Sequence, residues 1–307
     1  MICVLLLLLA AAAVGIGYLT RQCLHLVTNP DSHTYEQQRE SEVTDGFLDC
    51  IEAYENDWKR EEFTLDRKDA TIRGEIIRNP NTDEHDIKVA IVCHGHTANR
   101  YACLKYANIF YKDGFHVVIY DERHFGKSDA SYSTLGQNEA LDLAEIIRLV
   151  RKTFSDDCRI ALHGESMGAA AALLVLQYEK IDLVIADCPF SDTEMLFKEW
   201  IVNNLHMPPM ILIPFIELYG MIGYHYSVKK TSPIEAVRNT DVPICFMHGD
   251  CDKLIHHHHS ERMYEVCRNS FSEIHLFEGA DHAMSIVSDR ERYEALFNAF
   301  LKKCGTL

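Results

Sequence analysis

The alternation of apolar and polar positions changes character three times along the chain. Residues Ile2–Leu19 read ICVLLLLLAAAAVGIGYL, eighteen residues without a charge, which is the length an α-helix needs to cross the hydrocarbon core of a bilayer. From Thr28 to about Lys59 the chain is polar and acidic, with a turn at Asn29-Pro30-Asp31-Ser32. Within it Phe47, Leu48, Ile51, Tyr54 and Trp58 recur at helical spacing, which predicts a short linker and one or two helices packed on the main domain, or else a disordered stalk. From Glu62 the period shortens. Phe63–Leu65 and Ile72–Ile77 predict a hairpin through Lys68-Asp69. Val89–Cys93 is a continuous apolar run, as a strand buried on both faces would be, and Val117–Tyr120, Ile160–Leu162, Leu183–Ala186, Ile244–Met247 and Ile274–Phe277 read as further strands. Helical stretches separate them, including Tyr101–Lys112, Gln137–Phe154 and a closing helix over Asp289–Lys302.

Strands alternating with helices predict an α/β fold built on a mostly parallel, doubly wound sheet. One insertion, Ser191–Ser232, breaks the rhythm: it is strongly apolar yet carries Pro208, Pro209, Pro214, Gly220 and Gly223. It is too interrupted for a membrane span and too long for a connection, so it predicts a helical cap over the carboxyl edge of the sheet. One face of Met207, Met210, Ile211, Leu212, Ile213, Phe215, Ile216, Leu218, Met221 and Ile222 would then line a ligand pocket. The expected division is a membrane anchor at residues 1–20, an acidic linker with helices at 21–60, and an α/β domain at 61–307 with its cap at about 191–232.

Charge and cysteine usage narrow the setting. A formal charge of −16 argues against nucleic acid or an acidic membrane surface as partner. Eleven cysteines are scattered without a C-x-x-C pair, which fits reduced packing thiols better than a disulfide framework or a zinc site. No Lys or Arg precedes the N-terminal apolar run, so a single uncleaved N-terminal helix anchored in a membrane is preferred to a cleaved signal peptide. Arg21 is the only fixed positive charge near it and leaves the orientation open.

The chemistry centres on Arg159–Leu176, RIALHGESMGAAAALLVL. Here G-x-S-x-G stands between a strand and an Ala-rich helix, the setting that makes the pattern a nucleophile elbow. Gly164 and Gly168 let the strand and helix backbones approach closely, and the turn aims the helix N-terminus at whatever binds Ser166. A serine hydroxyl needs a base, and the base needs an acid to hold its tautomer. In an open α/β sheet such groups sit at the carboxyl ends of strands. His282, in GADHA, follows the last strand. Asp250 and Asp252 both follow the strand before it, and the spacing H-G-x-x-D selects Asp252; Asp281 is a more distant candidate. Two backbone donors for an oxyanion are expected from the N–H of Met167 and, after Gly95, the N–H of His96.

Taken together, GESMG, HGHT after a strand, DERHFGKSD, HGDCD and GADH resemble the α/β-hydrolase superfamily over roughly Phe63–Leu307. More narrowly the chain is similar to membrane-anchored bacterial hydrolases related to serine aminopeptidases and monoacylglycerol lipases. The resemblance implies an α/β-hydrolase fold. Such relatives often carry D-x-R-G-x-G-x-S where this chain has Asp121-Glu122-Arg123-His124-Phe125-Gly126-Lys127-Ser128, so His124 in place of glycine is expected to reshape the pocket floor.

The expected activity is hydrolysis of a small-molecule or lipid-like carboxylic ester by Ser166, His282 and Asp252. Amide or peptide cleavage by the same groups is the alternative, with Glu194, Glu199 or Glu217 as anchors for a peptide terminus. A silent hydrolase fold used as a binding module is a third reading. Four consecutive histidines, His256–His259, point in different directions on a helix and cannot ligate one ion together, so they read as a helix N-terminal turn and no metal is assigned. No Walker A, G-x-G-x-x-G or H-E-x-x-H pattern occurs, so no cofactor is expected. All this chemistry lies beyond residue 90, which implies that residues 1–27 can be deleted without loss of activity.

Overall fold

The computed structural model describes residues 1–83 and 85–305, so the last two residues of the expected 61–307 domain lie outside the description. Nine strands among the described residues form one sheet: β1 Lys59–Asp66, β2 Ala70–Arg78, β3 Lys88–Cys93, β4 His116–Asp121, β5 Asp129–Ala130, β6 Arg159–Glu165, β7 Leu183–Asp187, β8 Ile244–Gly249 and β9 Glu273–Phe277. The order is β1-β2-β4-β3-β6-β7-β8-β9, with β5 beside β2. The hairpin β1–β2 is antiparallel, and every pair from β4 to β9 is parallel. This is the α/β-hydrolase fold expected from the sequence.

Strands β3, β4, β6, β7 and β8 are buried over nearly their whole length, covered on both faces, whereas β9 at the sheet edge is only half-buried. The helices are α1 Ile2–Thr28, α2 Tyr35–Thr44, α3 Leu48–Glu52, α4 Leu104–Lys112, α5 Gln137–Thr153, α6 Met167–Leu174, α7 Thr193–Trp200, α8 Pro209–Tyr224, α9 Pro233–Arg238, α10 His258–Tyr264, α11 Ser285–Ser288 and α12 Arg290–Lys303. On one face Leu143, Ile147, Ala169, Leu173, Val237 and Met263 pack on β3, β6 and β7. On the other, Ile51, Leu104, Phe110, Phe297 and Phe300 pack on β4, β3 and β8. The acidic N-terminal segment is therefore ordered: Thr34 and Gln37 form a capping box at the start of α2, and Phe47, Ile51, Tyr54 and Trp58 are buried. Leu48 departs from that apolar set and faces solvent.

Helix α1 does not stop near residue 20. It runs to Thr28 and ends where the Asn29 N–H bonds the His25 carbonyl, ahead of Pro30. Residues 21–27, expected in the linker, are its last two turns. Cys23 and Leu24 are buried there against Phe197, Ile201, Leu212, Ile213 and Ile216 of the cap. The cap itself is helical as expected, α7 and α8 joined by a π-helical turn over Ile201–Leu205. Its small core is thus built jointly with the N-terminal helix.

Candidate active site

Parallel register places the functional loops at one edge. Cys93 pairs with Gly164, Glu165 with Asp187, Asp187 with Met247, and Gly249 with Phe277. The segments that follow β3, β6, β8 and β9 therefore emerge side by side. Ser166 is held at φ 55° and ψ −113°, backbone space that a β-carbon makes costly by about 1–3 kcal/mol. Its N–H donates to the Asp187 carbonyl at 2.8 Å and its carbonyl accepts from Ala170 N–H at 3.0 Å. The motif glycines are sterically required. A β-carbon on Gly164 would sit 2.3 Å from the Gly168 carbonyl oxygen, and one on Gly168 would sit 2.4 Å from that of Cys93. One on Gly95 would press on Glu165 Oε1 at 3.2 Å.

His282 Nε2 lies 2.9 Å from Ser166 Oγ, and His282 Nδ1 lies 2.7 Å from Asp252 Oδ2. Asp252 is buried, and its Oδ1 accepts the N–H groups of Leu254 (2.9 Å) and Ile255 (2.8 Å). Burial alone would raise its pKa. Hydrogen bonds from His248 and His282, the charge of His282 and the Ile255 N–H outweigh burial and hold the carboxyl well below its ordinary range. The other acids point elsewhere. Asp250 Oδ1 accepts Gly279 N–H, and Asp281 Oδ1 accepts the N–H groups of His282 and Lys253.

Two features escaped the sequence reading. His248 Nε2 faces both Asp252 Oδ2 (3.1 Å) and the Ile255 carbonyl (2.8 Å). Both partners are acceptors, so this nitrogen carries the proton, and Nδ1 takes the Ser260 hydroxyl at 2.7 Å. The histidine of H-G-x-x-D was visible in the sequence but served only to place the acid. Beneath the elbow lies a buried ionic group. Lys105 Nζ reaches Glu42 (3.2 Å) and Glu165 (3.4 Å), and the Tyr106 hydroxyl donates to Glu165 at 2.7 Å. Asp187 completes it, accepting the Ser285 hydroxyl at 3.0 Å. Burial, then the neighbouring charge of Glu165, pushes Asp187 up to about 7. These residues come from distant parts of the chain, and no local pattern announces them.

The Met167 N–H opens α6 directly beside Ser166, and neither it nor the His96 N–H has a hydrogen-bond partner among the described residues. The His96 ring turns away: Nε2–H donates to the Val27 carbonyl of α1 at 2.9 Å. His124 occupies a left-handed conformation, φ 73°, backbone space that glycine enters without cost. Its ring faces the Ala130 carbonyl and Phe125. It does not reach the cavity beside Ser166, so the expected change to a pocket floor is not what this substitution does.

That cavity, about 240 Å³, is lined by Ser166, Met167 and His96, by Leu135, Phe190, Leu254 and Ile255 of the core, by Leu196, Phe197 and Trp200 of α7 and the cap, and by Cys23, Leu26 and Val27 of α1. The cap contributes through α7. The residues of α8, expected to line the pocket, pack on α1 or face outward. A second cavity of about 870 Å³ shares Trp200 and Leu254 with the first, and Glu199, Asn203, Asn204, Asp250, Asp252, Lys253, His256 and Asp281 stand on its walls.

The histidine run does begin a helix. His258 and His259 at the start of α10 lie 3.0 and 3.1 Å from the two oxygens of Glu199, tying the cap to the core. Among the described residues, three groups could share an ion: Glu199–His258–His259, Cys188–Asp252–His282 and Cys245–Glu273–His275. All eleven cysteines are free.

Comparison with known proteins places this geometry in a family. The sequence pattern of the prolyl oligopeptidase family matches residues 106–306, which hold Ser166, Asp252 and His282. The chain belongs to the prolyl oligopeptidase family. It is thus a serine hydrolase of the α/β-hydrolase fold. Over 301 residues it is 28% identical to the uncharacterized protein YqkD of Bacillus subtilis, covering 96% of this chain and 94% of that one. An uncharacterized membrane protein of Saccharomyces cerevisiae, YNL320W, is 23% identical over 185 residues, 59% of this chain and 60% of that one. Among solved structures, the esterase Pf2001 of Pyrococcus furiosus superposes with a TM-score of 0.65 at 22% identity, covering 82% of this chain and 95% of the esterase. The acylaminoacyl peptidase of Pyrococcus horikoshii gives 0.61 at 18% identity, over 80% of this chain and 41% of the peptidase. At these identities the superpositions speak for the fold alone.

Proposed function

We propose that this family member is a carboxylic-ester hydrolase selective for an apolar acyl group, anchored to a membrane by α1. Ser166, His282 and Asp252 serve as nucleophile, base and orienting acid. His282 Nε2 takes the proton of Ser166 Oγ as the oxygen adds to the ester carbonyl. The resulting oxyanion is met by the N–H groups of Met167 and His96. Collapse breaks the bond to the leaving alkoxide, which receives the proton from His282, and an acyl-enzyme remains. Water deprotonated by His282 then attacks the acyl carbon, Ser166 Oγ regains its proton, and the acid departs. Throughout, Asp252 holds Nδ1–H and offsets the imidazolium charge.

The observation that carries the ester reading is the lining of the cavity beside Ser166. It is apolar, with His96 as its only titratable ring and no carboxylate or ammonium group. A peptide terminus needs an ionic partner. None of the three candidate anchors lines that cavity: Glu194 is paired with Lys198, Glu217 with the Ser227 hydroxyl, and Glu199, on the wall of the adjoining cavity, is held by His258 and His259. The adjoining cavity, with Asn203, Asn204 and Lys253 on its walls, has room and hydrogen-bond donors for an alcohol leaving group. Amide cleavage stays the second reading, because the family and the Pyrococcus horikoshii neighbour carry peptidase names. Purified protein should be labelled by a fluorophosphonate at Ser166. It should cleave p-nitrophenyl esters with a rate that rises from acetyl toward medium acyl chains and exceeds that on aminoacyl anilides. Faster anilide cleavage transfers the assignment to a peptidase, and absence of labelling favours a silent binding module.

A further inference from the structure

Helix α8 presents two apolar faces. Leu212, Ile213 and Ile216 pack inward on α1. On the outer side Met210 is 80% exposed, Leu218 57% and Ile222 73%, with Phe215 also open. Glu217 is the only charged residue in the helix. A helix facing water carries a polar outer side, and a surface this apolar marks a contact. What covers it follows from its neighbour. Helix α8 lies along the last turns of α1, whose described residues 3–15 are all exposed and apolar.

The 27 residues of α1 extend about 40 Å at 1.5 Å per residue, some 10 Å beyond the thickness of a hydrocarbon core. Its final turns therefore stand where lipid chains give way to headgroups, and that is where α8 meets it. Arg21 in the last two turns of α1, and Lys229 and Lys230 shortly after the end of α8, are exposed, cations suited to lipid phosphates in a chain that is otherwise strongly acidic. Leu26 belongs to both worlds: it is 53% exposed on this surface and also lines the cavity beside Ser166.

We propose that the outer face of α8 rests in the bilayer beside α1, so that the Ser166 cavity opens past Leu26 onto lipid and draws its substrate, a membrane-resident long-chain ester, from the bilayer. This rests on the ester-hydrolase reading for the reaction, while the surface itself is independent of it.

The full-length protein is reconstituted in phosphatidylcholine vesicles. A Phe215→Trp variant adds a fluorophore to the outer face, over the baseline set by Trp58 and Trp200. Bromine-labelled lipid chains should extinguish the added emission. Emission that survives overturns the proposal, and survival together with a dimer in detergent assigns the face to a second copy of the chain. Leu218→Lys and Ile222→Lys should lower hydrolysis of a long-chain ester embedded in the vesicles about tenfold, since a lysine is driven into an apolar layer. The rate on soluble p-nitrophenyl butyrate should stay unchanged. An unaltered rate on the embedded ester also overturns the proposal. Quenching without hydrolysis of either ester by the parent protein leaves the surface standing and refutes the ester reading instead.

Discussion

Shortening α1 in two steps separates what its two halves do. Deleting residues 1–15 removes only surface that the fold does not cover, since described residues 3–15 are exposed. Deleting residues 1–27 also removes Leu24 and Cys23 from the cap core, with Ile16, Leu19 and Val27 packed around it. Full burial of a leucine contributes about 2–3 kcal/mol, and the cysteine and the partly buried residues together contribute about 2 more. The His96 ring loses the Val27 carbonyl, at about 1 kcal/mol for a polar group left without a partner. The sum, about 5 kcal/mol, rivals the net stability of an ordinary domain. It should lower the melting temperature by on the order of 10 °C or more. The cavity also loses Cys23, Leu26 and Val27 from one wall. If these contacts contribute about 2 kcal/mol to binding a medium acyl chain, kcat/KM for p-nitrophenyl octanoate falls roughly 30-fold, while the acetyl ester is hardly affected. The assay is a thermal melt and an ester series on both truncations in mild detergent. Equal melting temperatures and equal chain-length profiles for the two would refute this role of α1, and would restore the simpler expectation that residues 1–27 are dispensable.

The remaining predictions concern the elbow and the acids. Asp252→Asn should lower kcat by about 10⁴, because the imidazole loses the partner that sets its tautomer, whereas Asp250→Asn, which only loosens the turn at Gly279, should leave most of the activity; the reverse ranking in steady-state kinetics would move the orienting role to Asp250. Ser166→Gly should abolish turnover and fluorophosphonate labelling yet raise stability by about 1 kcal/mol in urea unfolding, since glycine tolerates the φ of 55° at that position. Asp187, at about 7 in the folded chain against 3.8 when unperturbed, binds a proton between roughly pH 4 and 7 that the unfolded chain has already released. Its contribution to stability therefore falls as pH rises through that window. Asp187→Asn should flatten the decline, and unfolding curves at pH 5 and pH 8 that shift equally in both proteins would contradict it.

Much of the architecture was legible in the sequence because its signals are local. A strand covered on both faces must be apolar at every position, so β3, β4, β6, β7 and β8 announced themselves as unbroken runs. The elbow was equally plain, since a turn in which Gly164 and Gly168 face backbone at 2.3–2.4 Å admits no side chain. Once the strands were ordered, the groups at their carboxyl ends followed, and the fold carries Ser166, His282 and Asp252 into hydrogen-bond reach.

What remained depends on contacts between segments far apart in the chain. The ionic group under the elbow joins Glu42, Lys105, Glu165 and Asp187, residues whose neighbours in sequence say nothing of one another. His124 looked like a pocket residue because its place in the motif was known, but its backbone conformation turns the ring toward Ala130. Apart from Glu217, helix α8 is apolar on every side, so no periodicity within it could tell an inner face from an outer one. The packing of Cys23 and Leu24 of α1 made that distinction. The same contact carried residues 21–27 out of the linker and into the wall of the cavity beside Ser166, because a helix that can bury Cys23 and Leu24 against the cap gains more by continuing than by ending at residue 20.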